Sequence, residues 1–286
     1  MTPLITANQL EEVLNSGENV LLCDCRFDLA NPEAGRKAYE ESHIPGAIYV
    51  DLDQDMSGSK TGSNGRHPLP SPEAWAKTKA RLGISPNTLV VAYDKQGSVY
   101  ASRLWWMLKW LGHDAVAVLN GGLQAWEASG GQVESGEPQD LSVTKTAAET
   151  FELKPALREW VSTSELAPQV GRPSLTLIDA RGAARYRGEV EPIDPVAGHI
   201  PGALNRPFTD NLNADGFFKS TEQLRAEFES ILAGRDPQTV VHHCGSGVSA
   251  VPNILAMELA GLGVTRLYPG SWSEWCNTPG MACAKG

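Results

Sequence analysis

The chain has 286 residues, 41% of them hydrophobic and 20% charged, which describes an ordinary globular protein long enough for two domains. Its formal net charge of −10 makes nucleic acid and anionic membranes poor general partners. The opening MTPLITANQLEEVL lacks the basic and apolar regions of a signal peptide, and no apolar run is long enough to span a bilayer. Five cysteines, an odd number and too sparse for a disulfide framework, point to a reducing compartment, so a soluble cytoplasmic protein is expected.

In chain order, short apolar runs alternate with helical patterns. LLCDCR (21–26) is followed by HIPGA (43–47), a turn that needs Pro-Gly geometry. Pro72–Leu82 reads as a helix with Gly83 in the C′ place, and Leu89–Ala92 as a buried strand ending near Asp94. Tyr100–Leu111 is a second helix closed by Gly112, and its Trp105, Trp106 and Trp110 fit a broad core-facing side. After NGGLQAW (120–126), residues 132–158 are rich in Glu, Thr, Ser, Pro and Gly and read as a linker. The boundary is placed at 145, giving domains 1–145 and 146–286. The second half brings a strand at Leu175–Ile178, a second HIPGA (199–203), a helix at Thr221–Leu232 with Thr221 resembling its N-cap, and a strand, TVVHHC, ending at Cys244. A helix Val251–Leu262 follows, with Gly263 at C′, then PGSWSEW (269–275).

The two halves repeat one another. HIPGA recurs unchanged, Asp24 falls opposite Asp179, Asp94 opposite Cys244, and Gly121 opposite Gly270, in order. Features shared by both halves, His43 with His199 and Asp24 with Asp179, are expected to be structural. Alternating strand and helix predicts an α/β module with a mainly parallel sheet flanked by helices, and such sheets bind ligands off the carboxyl ends of their strands. Both Asp94 and Cys244 belong there.

A free cysteine is most often a small buried hydrophobe. Cys244 differs because it ends a strand, enters a turn with two glycines and precedes a helix carrying Pro252 in its first turn. Backbone N–H groups in such a turn form a cup that favours an anion, and so a thiolate nucleophile. No lysine or arginine lies in the loop, which leaves most of the local stabilisation to backbone dipoles. Ala250 stands where a phosphatase loop needs arginine, which disfavours phosphate-ester hydrolysis. His242 and His243 alternate faces of the strand, so both cannot reach the cup, and no zinc-like spacing appears.

These residues together resemble the tandem-domain rhodanese family of sulfurtransferases, over nearly the whole chain: both HIPGA segments, the LIDAR-type strand end, GGLQAW, PGSWSEW and CGSGVSA (244–250). The resemblance implies two tandem rhodanese-like domains, the first non-catalytic with Asp94 in place of the cysteine. CGSGVSA is similar to the loop of the 3-mercaptopyruvate sulfurtransferases, whereas thiosulfate enzymes typically carry basic residues after the cysteine. By the same resemblance Cys244 is the nucleophile that becomes a persulfide. Gly245, Ser246, Gly247, Val248 and Ser249 form the loop that holds it, and Ser246 assists through its hydroxyl. Arg185 binds the donor carboxylate. His67 and Asp53, in DLDQDMSGSKTGSNGRHPLP (51–70), complete a relay with Ser246, so the site is expected between the domains. No metal or organic cofactor is implied. A small-molecule sulfur donor and a cyanide, thiol or thioredoxin acceptor are the expected partners. One departure stands out: Ile193 occupies the place of a usual second arginine, and Arg187 is the residue expected to compensate. A thiosulfate sulfurtransferase and a persulfide relay module are the alternatives. Cys276 and Cys283, near the end, are either a redox pair or inert.

Overall fold

Strand β4 (Leu89–Tyr93), five residues buried on both faces, is the centre of the first sheet. Its sequence, LVVAY, has no polar face because helices cover both sides of a parallel sheet. In this computed structural model, which describes residues 2–137 and 154–286, four more strands complete the sheet: β1 (Leu4–Ile5), β2 (Val20–Asp24), β3 (Ile48–Tyr49) and β5 (Val116–Leu119). Their order is β1-β5-β4-β2-β3, all parallel. Helices α1 (Ala7–Asn15), α2 (Glu33–Glu41), α3 (Pro72–Arg81), α4 (Val99–Trp110) and α5 (Gly122–Ala128) flank it. Every residue of α4 is buried, and Trp105 and Trp106 are fully enclosed, so the tryptophan cluster is core.

The second sheet repeats the pattern. It comprises β6 (Thr176–Asp179), β7 (Leu204–Asn205), β8 (Val240–His243) and β9 (Arg266–Leu267), parallel in the order β7-β6-β8-β9. Trp160 makes a parallel bridge to Leu267, the place β1 takes beside β5, so the two sheets share one strand order. Helices α6 (Thr163–Leu166), α7 (Ala183–Tyr186), α8 (Thr221–Leu232), α9 (Val251–Leu259) and α10 (Ser271–Trp275) accompany it.

The chain divides into two units: Met1–Ser57, Pro70–Leu157 and Asp215–Phe217 form the first, and Gly58–Leu69, Arg158–Ala214 and Phe218–Gly286 the second. The segment Gly58–Leu69, early in the sequence, therefore packs with the later half. The boundary expected at 145 lies outside the described residues. Two helix ends differ from the sequence reading. The N-cap of α8 is Ser220, whose hydroxyl accepts from the Gln223 N–H while the Gln223 side chain returns to the Ser220 N–H. Helix α9 ends at Leu259, and the left-handed glycine just past its Ala260 cap is Gly261, with φ of 68°.

The features common to both halves are structural. Asp24 is bonded by Arg26 and Asp179 by Arg181, each a buried pair two residues apart at a strand end. His43 and His199 place Nδ1 against the carbonyls of Tyr39 and Tyr186, at 2.7 and 2.8 Å, and stack on those rings. Among the described residues no helix is long and apolar enough to cross a membrane.

Candidate active site

The loop at the end of β4 shows what its counterpart can hold. Asp94 Oδ1 accepts from the N–H groups of Gln96 and Ser98, each at 2.9 Å. Its Oδ2 accepts from Tyr100 and Ala101, at 2.9 and 3.0 Å. The loop is thus an anion cup, and in the first unit the chain fills it with its own carboxylate.

At the end of β8 the matching position is Cys244, 1% exposed. Gly247 has φ of 75°, nearly that of Gly97 at 77°, so the two loops turn alike. A Cβ on Gly247 would run into the carbonyl oxygen of Pro269, which leaves no room for another residue. The carbonyls of Cys244 and Gly245 accept from Trp272 and Ser273 at the start of α10, each at 2.9 Å, and the Cys244 N–H donates to Ser271 Oγ at 3.0 Å. With those carbonyls drawn aside, the N–H groups of Ser246, Val248, Ser249 and Ala250 donate to no acceptor among the described residues. Buried donors are rarely left unspent, so a cup of this kind is built for an anionic occupant.

Charge also arrives from outside the loop and adds to the local backbone dipoles. A Cβ on Gly245 would lie 2.8 Å from Arg66 Nη2 and 3.6 Å from Arg185 Nη1. Arg185, at the end of α7, is gripped by Glu191, with Nη2 2.6 Å from Oε1. Arg66 pairs with Asp194, and Arg185 Nη2 lies 3.3 Å from the other oxygen of that carboxylate. Burial pushes the Asp194 carboxyl up, with Arg66 opposing. Burial also acts on Glu191, but hydrogen bonds from Arg185 and from the backbone of Asp194 and Ile193 hold it below the usual range.

His67 is buried, and its Nδ1 lies 2.8 Å from Ser246 Oγ. With the ring proton on Nε2 the hydroxyl donates to the ring, and with it on Nδ1 the ring donates to the hydroxyl. Cys244, the loop Gly245–Ser249, Arg185 and His67 therefore come together within the second unit. Asp53 belongs to the first unit, where its N–H donates to Asp51 Oδ1 at 2.8 Å. Ile193 is 48% exposed, and Arg187 does not compensate for it: its guanidinium is turned to Glu189, at 2.7 Å, on the surface. His242 and His243 are fully buried in β8. Burial lowers the His242 pKa to about 3, and lowers that of His243 against the pull of Asp179. Arg66 is the residue the sequence reading missed; its only signal was its place beside His67.

The rhodanese-like domain model matches residues 6–129 and 162–278. The chain belongs to the rhodanese-like domain family. It is 45% identical to a probable 3-mercaptopyruvate sulfurtransferase of Pseudomonas aeruginosa, over 99% of this chain and 98% of the relative. It is 38% identical to a putative thiosulfate sulfurtransferase of Mycobacterium tuberculosis, over 99% and 97%. The solved structure of a 3-mercaptopyruvate sulfurtransferase from Leishmania major superposes with a TM-score of 0.79 at 32% identity, covering 95% of this chain and 73% of that one. Both rhodanese-like domains keep one fold, and only the second carries a cysteine at the cup.

Proposed function

We propose that this protein is a sulfurtransferase that moves sulfane sulfur from 3-mercaptopyruvate, through a persulfide on Cys244, to a thiophilic acceptor. The observation that carries this reading is the cysteine at a cup of unspent backbone N–H groups, where the first unit holds a carboxylate with four such groups. The Cys244 thiolate attacks the donor sulfur, the C–S bond breaks, and its electron pair leaves on the methylene carbon as pyruvate enolate. The proton of the donor thiol passes to that carbon, giving pyruvate and the Cys244 persulfide anion. Ser246 and His67, 2.8 Å apart, are suited to carry that proton. The N–H groups of the loop stabilise both thiolate and persulfide, and Arg185 orients the donor carboxylate. Cyanide, a small thiol or reduced thioredoxin then attacks the outer sulfur and returns Cys244 to its thiolate. Asp53 enters this scheme through the family resemblance. No step calls for a metal or organic cofactor, and the five free cysteines fit a reducing, cytoplasmic setting.

Thiosulfate is the second reading for the donor, since two guanidiniums above Gly245 also suit a sulfonate-like anion. Sulfur transfer to cyanide from 3-mercaptopyruvate and from thiosulfate, measured side by side, decides between them. The expected result is a much larger kcat/KM for 3-mercaptopyruvate and no turnover in Cys244→Ser. Transfer that survives in Cys244→Ser sinks the mechanism, and a larger value for thiosulfate sinks the choice of donor.

A further inference from the structure

We infer that the loop from Val190 to Val196 is a docking lip for a protein that carries the acceptor thiol, laid beside the cup that holds Cys244. This rests on the sulfurtransferase reading above and deepens it, by naming the kind of partner that takes the sulfur.

The loop is built inside out. Surface loops ordinarily turn their charges to water and their apolar side chains inwards. Here the two charged side chains, Glu191 and Asp194, are each 3% exposed. The exposed residues around them are Val190, Pro192, Ile193, Pro195 and Val196, all apolar. Val190 and Ile193 are about half exposed. A single exposed aliphatic side chain is ordinary, but a run of them with no exposed charge between marks a contact surface. The exposed charges just before the loop, Arg187 and Glu189, are spent on each other at 2.7 Å.

The loop is also held still. Glu191 Oε1 accepts from the N–H groups of Ile193 and Asp194, each at 3.1 Å, and from Arg185 Nη2 at 2.6 Å. The Val196 carbonyl accepts from Trp272 Nε1 at 2.9 Å. Pro192 and Pro195 fix two further φ angles. An apolar surface on a fixed frame loses little entropy when a partner covers it.

Position names the partner. The same two carboxylates hold Arg185 and Arg66 over Gly245, the residue after the nucleophile, so the lip borders the mouth of the cup. Cys244 is 1% exposed, and the outer sulfur of its persulfide is reached only by a group that projects into the cup. Cyanide or a small thiol diffuses in and has no use for an apolar lip. A thiol carried on a protein has to be held at the right depth and angle, and an apolar contact beside the cup does this. Ile193, where an arginine was expected, takes a charge out of the contact, so the partner's face around its thiol is apolar and uncharged as well. The transfer balances. The partner's thiolate bonds to the outer sulfur, the bond from that sulfur to Cys244 breaks, and its electron pair returns to Cys244 as thiolate.

Reduced thioredoxin is the probe. Cys244 is loaded with persulfide, excess donor is removed, and discharge by thioredoxin, dithiothreitol and cyanide is followed by intact mass. Val190→Asp with Ile193→Asp is expected to lower the rate constant for thioredoxin about ten- to hundredfold, the loss of two central apolar contacts. Loading, and discharge by cyanide, are expected unchanged. Val190→Ser with Ile193→Ser removes apolar surface without adding charge and falls between. Circular dichroism checks folding, and the serine pair carries the test if the aspartate pair does not fold. Equal loss with cyanide and thioredoxin, or none with either, overturns the inference, as does a parent that discharges to thioredoxin no faster than to dithiothreitol. A parent that sediments as a dimer, dispersed by the aspartates, assigns the lip to a second copy and overturns it too. Binding is read without sulfur chemistry by an NMR titration of Cys244→Ser with reduced thioredoxin. Shifts of the Val190, Ile193 and Val196 amides that the aspartates abolish uphold the lip even if no donor loads Cys244, which separates its fate from that of the sulfurtransferase reading. No shifts there overturn it.

Discussion

Asp94→Ala tests whether the strand-end loop is organised around an anion. Asp94 is 1% exposed and takes four backbone hydrogen bonds, at 2.9 to 3.0 Å. Removing it leaves three buried donors and the part-buried N–H of Gln96, and each unsatisfied buried donor costs about 1–3 kcal/mol. The full sum would rival the whole stability of a domain, about 5–15 kcal/mol, so it overstates the loss. A cavity of about 80 Å³, lined by Asp94, Gly97, Ser98 and Gly121, adjoins the loop and can admit a water as a substitute acceptor. A loss of about 3–5 kcal/mol is therefore expected. At roughly 2–4 °C per kcal/mol for a unit of this size, that lowers its melting temperature by about 10 °C. Asp94→Asn keeps one acceptor oxygen and turns an N–H₂ towards two of the donors, so its loss lies below that of alanine. Scanning calorimetry, with urea unfolding followed by circular dichroism, measures both. An alanine variant that melts within 2 °C of the parent would refute the anion-cup account and weaken its extension to Cys244.

Gly247→Ala forces a Cβ into a left-handed turn, at about 1–2 kcal/mol, and against the Pro269 carbonyl. It is expected to abolish persulfide formation with a melting loss of several degrees; full loading by intact mass would contradict the packing argument. His113 makes a pH prediction. Buried, with Nε2 3.0 Å from the Thr88 carbonyl and 3.2 Å from that of Ala115, its pKa is lowered to about 4, first by burial and then by Lys79. The unfolded chain binds the proton more readily, near pH 6.5, so the contribution is complete above about 6.5 and is lost as pH falls towards about 4. The first unit should lose about 2–3 kcal/mol over that window, and His113→Gln should flatten the slope by about one proton. Urea midpoints from pH 4 to 7 test this, and parallel curves for parent and variant would exclude His113 as the cause.

Sequence alone determined the module and its duplication. Period, turn glycines and two copies of HIPGA act locally, so the β-α alternation and the placing of Asp94 and Cys244 after matching strands were legible before any coordinates. Boundaries slipped where neighbouring residues compete for one role. Ser220 and Thr221 can both cap α8, and the capping box with Gln223 selects Ser220. Gly261 and Gly263 can both close α9, and Gly261 is the one next to the cap. The structure alone decided where charge meets the cup. Arg66 lies 178 residues before Cys244, Arg185 59 before it, and Asp194 50 before it. No period or spacing links such positions. They meet because Gly58–Leu69 packs with the later half and because Glu191 and Asp194 bring two guanidiniums over Gly245. A cysteine at a strand end is a local fact, whereas the electrostatics around it are summed over whatever the fold brings near, and distance in space sets that sum.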